Sequence, residues 1–156
     1  MNFVIDSLIG VRVLLCFDLI SQLLLVVEFL GEYLFALKMF DFERFLVYQK
    51  AKAFSFAIKK NVLTIESLER ISKDQLRRAS LSVALNIAEG ASRFSRADKR
   101  NFYVIARASA IECVAILDIL KLEETITNEL YQELYLKAEE ISRMLYSLIR
   151  QLEKKV

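Results

Sequence analysis

The sequence contains no proline, tryptophan or histidine, and only three glycines among 156 residues. Proline and glycine are the residues that most often form turns and end helices, so their scarcity favours long helices. Histidine is the commonest metal ligand and the commonest general base, and its absence removes both roles. The two cysteines, Cys16 and Cys113, lack the spacing of metal ligands. The sequence therefore predicts no metal, no cofactor and no catalytic residues.

The chain is rich in apolar residues that can form a core. They make up 55% of the sequence, and a chain of this length forms one domain that buries roughly two thirds of its unfolded surface. In four stretches of 39–156 they recur every three or four positions, which is the period of an amphipathic helix. An all-α chain is predicted.

Local signals place the first two helices. Asp41 is the predicted N-cap of a helix at about 42–60. Ser72 and Gln75 form a capping box for the second helix, which closes near Gly90. The predicted inward-facing stripes are Val47, Ala51, Phe54 and Ile58 on the first helix and Leu76, Ala79, Val83 and Ile87 on the second.

The last two helices have similar signals. Ser95 and Asp98 make a weaker capping box for the third helix, and Thr127 or Asn128 caps the fourth. The fourth has the clearest amphipathic pattern in the chain. The predicted stripes are Phe102, Ala106, Ser109, Cys113, Ile116 and Leu120 on the third helix, and Leu130, Leu134, Ala138, Ile141, Leu145, Leu148 and Leu152 on the fourth.

The third helix carries a second apolar line. An exposed line of this length is typical of a subunit interface, and its small residues would let another helix approach closely. The alternative is a wide face buried within one subunit, and periodicity alone leaves both open. The line consists of Val104, Ala108, Ile111, Ala115 and Ile119.

Residues 1–38 form an apolar segment interrupted by charges. Arg12, Asp18, Glu28 and Glu32 leave a longest charge-free run between them of only nine residues, at 19–27. A transmembrane helix needs about 20 mostly apolar residues, so no clean span is predicted. A signal peptide fits poorly as well, because a cationic start and a small-residue cleavage site are both missing. We expect an additional apolar helical segment, separate from 39–156.

Positive charge is concentrated in the middle of the chain. Residues 1–38 have a net charge of −2, so 39–156 carry +4, and residues 70–107 hold nine cations against three anions. Such an excess suits an anionic partner. The alternative is an ordinary solvated helix face. The cations predicted to contact nucleic-acid phosphates are Arg77, Arg78, Arg93, Arg96, Lys99 and Arg100.

Three aromatic residues lie close in the sequence to the last four of these cations, Arg93, Arg96, Lys99 and Arg100. Phe94, Phe102 and Tyr103 are candidates to stack on unpaired bases. Burial in the core is the commoner outcome for aromatic residues of a helical bundle.

Residues 42–51 are FERFLVYQKA, residues 75–90 are QLRRASLSVALNIAEG, and the next helix bears Ala108, Ser109 and Glu112. This layout resembles the bacterial four-helix bundle proteins encoded by intervening sequences of 23S ribosomal RNA genes. The resemblance runs from about residue 40 to the C-terminus. The family often has a proline in the first interhelical loop, where this chain has NVLTIESL.

The resemblance implies an antiparallel up-down four-helix bundle at 39–156 and a homo-oligomer. A pentamer is implied, as in the related accessory variability determinant of diversity-generating retroelements. That protein docks on a reverse transcriptase, so a partner enzyme is a further expectation. Family members begin just before the motif that starts at Phe40, so Met39 is expected to be a native start. Residues 1–38 would then be a mis-assigned start or a lineage-specific extension.

Polar residues within the apolar stripe of the second helix form another candidate site. Asn86 and Glu89 lie on one face, and Glu112 of the third helix and Arg78 are possible partners. Two carboxylates could hold a metal or transfer a proton. Because no nucleophile, further metal ligand or substrate loop accompanies them, we predict a structural network of Arg78, Asn86, Glu89 and Glu112 instead.

These features predict a cytoplasmic, non-catalytic, oligomeric helical scaffold that binds RNA or DNA backbone and docks a partner enzyme, with no small-molecule substrate. The alternative is a purely protein-binding or self-assembling bundle, membrane-associated if residues 1–38 are genuine.

Overall fold

The computed structural model describes residues 40–153, together with five helical residues of the preceding segment at 25–27 and 29–30. The chain divides into two units, Met1–Met39 and Phe40–Val156. Apart from those five residues, the predictions for 1–38 lie outside the described residues. Among the helices that the structure does describe, none is long and apolar enough to cross a membrane.

The second unit consists of four long helices, preceded by a 3-10 turn at Asp41–Arg44. Residues 40–153 contain no β-strand, so the all-α prediction is confirmed. The helices are α1 at Leu46–Asn61, α2 at Arg70–Ser92, α3 at Arg96–Leu122 and α4 at Asn128–Glu153.

Neighbouring helices run antiparallel. Ser82 of α2 contacts Ser109 of α3, and further along α2 Gly90 packs against Tyr103, which lies earlier on α3. Within residues 40–153, each helix contacts two of the other three, in the cyclic order α1, α2, α3, α4. A 2.9 Å ion pair between Lys50 and Glu140 links the first helix to the last. This is the predicted up-down four-helix bundle.

The core lies along the bundle axis. On α1 and α2 all eight residues of the predicted stripes are buried, and on α3 and α4 the stripes are buried or half-buried. Burying a large aliphatic or aromatic side chain contributes roughly 1.5–3 kcal/mol relative to exposing it. The largest fully buried side chains are Tyr103, Phe54, Ile58, Leu76, Ile87, Leu117, Leu120, Leu134, Ile141, Leu145, Val62 and Val83.

The predicted start of α1 is wrong. Asp41 belongs to the 3-10 turn, and Phe45, with extended backbone, is the residue that precedes the helix at Leu46. The Phe42 ring packs edge-on against Tyr48 with centroids 4.8 Å apart. This aromatic contact holds the 3-10 turn against α1, so the turn already packs on the bundle before the helix begins.

The predicted start of α2 is wrong as well. The helix begins at Arg70, after Glu69, and Ser72 lies inside its first turn. Glu69 has extended backbone and forms no side-chain capping bond. The Lys73 ammonium instead donates a 3.0 Å hydrogen bond to the carbonyl of Ile65, which ties the preceding loop to the first turn.

The starts of α3 and α4 agree with the sequence. Ser95 Oγ accepts a 3.2 Å hydrogen bond from the Asp98 amide, as an N-cap does. Thr127 Oγ1 accepts one of the same length from the Leu130 amide, so Thr127 rather than Asn128 caps α4. Both caps satisfy amide groups that a helix leaves without partners.

Candidate nucleic-acid and subunit interfaces

The six predicted phosphate-binding cations lie in two groups toward opposite ends of the bundle. Arg77 and Arg78 belong to the N-terminal part of α2, and the other four surround the turn between α2 and α3. At a rise of 1.5 Å per residue, Arg77 and Arg93 are about 24 Å apart along the helix. One subunit therefore does not bring the two groups together.

The two arginines of the first group differ in their partners. Arg77 forms a 3.0 Å ion pair with Asp74 of the same helix. Arg78 is exposed, and the structure of residues 40–153 gives it no ion pair. Of the two, only Arg78 keeps its full charge available to another molecule.

Arg96 and Arg100 fasten the start of α3 to the end of α4. Arg96 donates hydrogen bonds of 2.9 and 3.3 Å to the carbonyls of Gln151 and Leu152. Arg100 donates through Nε and Nη2 to Oε1 of Glu153, at 3.0 and 2.8 Å. The bonds from Arg96 satisfy carbonyl groups at the end of α4, and both arginines place positive charge at the negative end of its dipole. Both arginines thus stabilise the bundle itself.

The carboxylate of Glu153 receives a second arginine from its own helix. Arg150 Nη1 lies 3.1 Å from Glu153 Oε2. The hydrogen bond from Arg100, reinforced by its charge and by Arg150, lowers the pKa of the Glu153 carboxyl. Glu153 therefore neutralises part of the positive charge at this end of the bundle.

The other two cations at the turn are Arg93 and Lys99. Arg93 pairs with Glu89 one turn earlier and lies over the ring of Phe102, with its guanidinium carbon 4.5 Å from the ring centre. Lys99 is half-buried, and no ion pair is found for it within the described bundle. The structure therefore places all four cations at one end, but three of them already contact protein groups.

The three aromatic residues near the turn have different surroundings. Phe94, in the turn itself, is fully exposed. Phe102 is covered by Arg93, and Tyr103 is only 2% exposed, with burial raising the pKa of its hydroxyl. Only Phe94 is placed to stack on a base, whereas Tyr103 became part of the core.

The predicted network of Arg78, Asn86, Glu89 and Glu112 does not form within residues 40–153. Glu89 is exposed and pairs with Arg93, and Glu112 is exposed on α3. Both carboxylates lie on the outer sides of their helices, where they remain hydrated and avoid the desolvation cost of burial.

Asn86 forms a smaller polar contact instead. Its Nδ2 donates to the carbonyl and to Oγ of Ser82, at 2.8 and 3.0 Å. Ser82 Oγ lies 2.8 Å from Ser109 Oγ, which joins α2 to α3. Neither serine was predicted to have this role, although Ser109 lies on the apolar stripe of α3 and Ser82 lies beside that of α2.

The second apolar line of α3 is exposed along its whole length. Val104, Ala108, Ile111, Ala115 and Ile119 all face outward from the bundle. The alternative in which one subunit buries this line is therefore wrong. Ile111 also lines a groove of about 160 Å³ between α3 and α4, whose lining includes Tyr135.

The remaining reactive group of the bundle is unsuited to catalysis. Cys113 is buried, and burial together with the neighbouring charge of Glu112 raises the pKa of its thiol to about 12. A thiol in such surroundings is a poor nucleophile. The residues that the structure describes also contain no group of three or more side chains able to hold a metal ion.

Comparisons with known proteins agree with this architecture. Residues 43–147 match the family model of the 23S rRNA-intervening sequence protein. A crystal structure of a protein with unknown function from the S23 ribosomal protein family of Bacteroides thetaiotaomicron is similar, with a TM-score of 0.63 and 30% sequence identity. The similarity covers 67% of this chain and 99% of that one. Among curated proteins, none matches. Since the family model spans well over half of its length, the chain belongs to the 23S rRNA-intervening sequence protein family.

Proposed function

We propose that this chain is a non-catalytic helical scaffold that assembles with further copies of itself and binds nucleic acid through backbone phosphates. The observation that carries the proposal is the exposed apolar line of α3. A contiguous apolar strip on a soluble helix is typical of an interaction surface. The small side chains of Ala108 and Ala115 would let a helix of another subunit approach closely.

Nucleic-acid binding is supported by the turn between α2 and α3. Four cations lie around it, and fully exposed Phe94 lies between Arg93 and Arg96. Positive side chains contact phosphates and an exposed ring stacks on an unpaired base, which is the combination found in proteins that bind single strands. In an assembly the turn would be repeated around the symmetry axis, so several weak contacts would add up.

The resemblance supplies two finer parts of the proposal. It implies a ring of five subunits, and it implies a partner enzyme docked on the assembly, as with the retroelement accessory protein. A cytoplasmic location agrees with both.

Self-assembly is tested by sedimentation of the full chain and of an Ala115→Lys variant. Lysine at this exposed position would place a charged side chain within the α3 line, so the variant should sediment as a smaller species. Ala53→Lys, at an exposed alanine of α1, is the matched control and should behave as the parent. Sedimentation of the parent also counts its subunits, and a monomeric parent would contradict the proposal.

Nucleic-acid binding is tested by fluorescence anisotropy with single-stranded RNA, structured RNA and duplex DNA at several salt concentrations. Binding through phosphates should weaken steeply as salt rises. Phe94→Ala and Lys99→Glu are the informative variants, because neither residue fastens α3 to α4. Lys59→Glu, at an exposed lysine of α1, is the control. The absence of binding at low salt would remove this half of the proposal.

The second candidate function is a purely self-assembling or protein-binding bundle. It is favoured by the ion pairs of Arg77 with Asp74, Arg93 with Glu89 and Arg100 with Glu153, which neutralise half of the predicted phosphate-binding cations. Assembly without salt-dependent binding would select it. Its membrane-associated version depends on residues 1–38, so co-sedimentation of the full chain with liposomes tests it.

A further inference from the structure

The outer side of α3 repeats every seven residues, as one side of a coiled-coil helix does. Ala108, Ala115 and Leu122 have the spacing of position a, and Val104 and Ile111 have that of position d. All five are exposed. They define the α3 seam, an apolar strip for a second helix pairing in addition to the side that α3 buries in its own core.

Two polar residues bound the apolar part of the α3 seam. Asn101 has the a position before Val104, and Asp118 has the d position after Ala115. Asp118 lies 3.7 Å from the Lys121 ammonium of the same helix, so its charge is compensated within its own subunit. The apolar part therefore runs from Val104 to Ala115 and resumes at Leu122.

The two flanks of the α3 seam carry opposite charges. Position g, on one side of the seam, holds Val114 and the cations Arg100, Arg107 and Lys121. Position e, on the other side, holds Ile105, Ile119 and the anions Asp98 and Glu112. In coiled coils the residues at e and g form ion pairs between helices and determine which orientation is favoured.

Arg107 and Glu112 are the charged residues nearest the middle of these flanks. Within residues 40–153 neither forms an ion pair, and Glu112 is exposed. Arg107 Nε donates a 3.2 Å hydrogen bond to Ser142 Oγ, and its guanidinium carbon lies 5.6 Å from the centre of the Tyr146 ring. These contacts hold the Arg107 side chain in place but give its charge no acidic partner.

We propose that the α3 seam pairs with the α3 seams of neighbouring copies of this chain, with all the α3 helices parallel around one rotation axis. In a parallel coiled coil, a g residue of one helix faces the e residue five positions later on the next helix. Arg107 then meets Glu112 of the partner subunit, and Val114 meets Ile119 of the partner subunit. The inference rests on the self-assembly proposed above and assigns its contact.

This contact joins two different sides of the same helix. The g side of one α3 meets the e side of the next, so each subunit has a different neighbour on either side of its seam. Such a heterologous contact closes into a ring when the rotation between subunits fits. It is therefore compatible with the five-membered ring that the family resemblance implies.

The charges select parallel helices over antiparallel ones. In an antiparallel pairing g faces g and e faces e. Arg107 would then face a g flank whose charged residues are all cations, and Glu112 would face an e flank whose charged residues are all anions. Like charges brought together in an interface oppose association, whereas the parallel arrangement pairs opposite ones.

The groove between α3 and α4 suits the apolar part of this contact. It has a volume of about 160 Å³, and its lining includes Ile111, Val114 and Tyr135. The parallel arrangement brings Ile119 of the partner subunit to Val114, at the edge of this groove. Because Ile119 is 53% exposed in one subunit, each copy has both an apolar groove and an aliphatic side chain to place in the groove of the next.

The first test exchanges the charges of Arg107 and Glu112 in the full chain and measures self-association by sedimentation equilibrium. Glu112→Arg alone and Arg107→Glu alone each bring like charges together, so each should weaken association about tenfold or more. The double variant restores the pair with reversed polarity and should associate at least about fivefold more tightly than either single variant. Lys59→Glu, at an exposed lysine of α1, is the control and should leave association unchanged.

A second test measures the orientation of the helices without changing any charge of the pair. In a Cys16→Ser background, Leu122→Cys places an exposed thiol near the C-terminal end of the α3 seam. Parallel helices bring the Leu122 positions of neighbouring copies together, so a short bismaleimide should cross-link them. In an antiparallel pairing centred on Ile111 they would be about 33 Å apart and should not react with one reagent molecule. Ala53→Cys, at an exposed alanine of α1, is the control and should give no cross-link.

The outcomes separate this inference from the proposed function. If the parent is a monomer, self-assembly fails and the inference fails with it. If the parent assembles but Leu122→Cys gives no cross-link, or if folded Glu112→Arg assembles as tightly as the parent, only the pairing of α3 seams is wrong. A folded double variant that is no tighter than the single variants also overturns the pairing. Circular dichroism of each variant shows whether weaker association reflects a changed interface or an unfolded chain.

Discussion

Gly90 of α2 lies so close to Tyr103 of α3 that a Cβ atom on Gly90 would be 2.7 Å from Cε1 of the tyrosine ring. It would also be 3.0 Å from Cβ of Phe102. Gly90 is helical and has no positive φ, so space rather than backbone freedom requires a glycine here. Because the tyrosine ring is buried on its other sides, it has little room to move away.

Gly90→Ala should therefore destabilise the bundle. Alanine is favoured over glycine within a helix by about 1 kcal/mol, but overpacking costs about 1–3 kcal/mol. The net expectation is a loss of up to about 2 kcal/mol in the free energy of unfolding by urea. In a Tyr103→Leu background, which removes the ring, the same substitution should be neutral or stabilising. A stabilising effect in both backgrounds would show that the helices separate readily.

Glu124→Gly should stabilise the chain. Glu124, just after α3, has φ of 55°, in the left-handed region that disfavours residues with a Cβ atom. Its amide donates a 3.0 Å hydrogen bond to the carbonyl of Lys121, as at other helix ends where glycine is preferred. We expect a gain of roughly 0.5–1 kcal/mol in thermal or urea unfolding.

The matched control for this change is the preceding residue. Glu123 has φ of −79°, which any residue adopts without strain. Glu123→Gly should therefore be neutral or destabilising, because glycine only adds freedom to the unfolded chain. Equal effects at the two positions would contradict the role assigned to the left-handed conformation.

Glu153→Gln should weaken the bundle at neutral pH and remove part of its acid sensitivity. The hydrogen bond from Arg100 lowers the pKa of the Glu153 carboxyl in the folded state. Its stabilising effect is thus present above the ordinary glutamate pKa of about 4.3 and is lost as the pH falls through the lower folded value. Melting temperatures of parent and variant should differ at pH 7 and converge in acid. Glu133→Gln is the control and should change stability less, because its partner Lys137 is on the same helix. A difference in melting temperature between parent and Glu153→Gln that stays constant at every pH would contradict this account.

The core of the bundle was predictable because burial follows the helical period. Leu76, Ala79, Val83 and Ile87 are spaced by three or four residues, and all are buried as expected. Helix starts depend on a few contacts around the first turn. Ser95 and Thr127 cap helices through their own hydroxyls. Asp41 is not an N-cap because it lies in a 3-10 turn held against α1 by an aromatic contact, which a pattern of single residues does not reveal.

The candidate site was harder to predict than the core. Charge and spacing identified the cations at the turn, but whether Arg96 meets phosphate or the carbonyls of α4 depends on which helix ends lie together. Likewise, Glu89 was predicted to belong to a structural network because it lies on the same face of α2 as Asn86, three residues earlier. The two positions are about 60° apart around the helix, enough to bring Glu89 to the surface while Asn86 stays half-buried.

Cys113 should be almost inert toward thiol reagents while the bundle is folded. Burial raises the pKa of its thiol to about 12, so at pH 8 its thiolate fraction falls from roughly a quarter to about one in ten thousand, taking about 8.5 as the ordinary value. In a Cys16→Ser background, maleimide labelling at pH 8 should be at least about a thousandfold slower in buffer than in urea. Labelling in buffer as fast as in urea would mean that α3 opens readily from the bundle.

The raised pKa of the Cys113 thiol also predicts a change of stability at high pH. Because the folded pKa is raised, the free energy of unfolding should fall as the pH rises above the ordinary thiol value toward about 12, and a Cys113→Ala variant should lack this part of the loss.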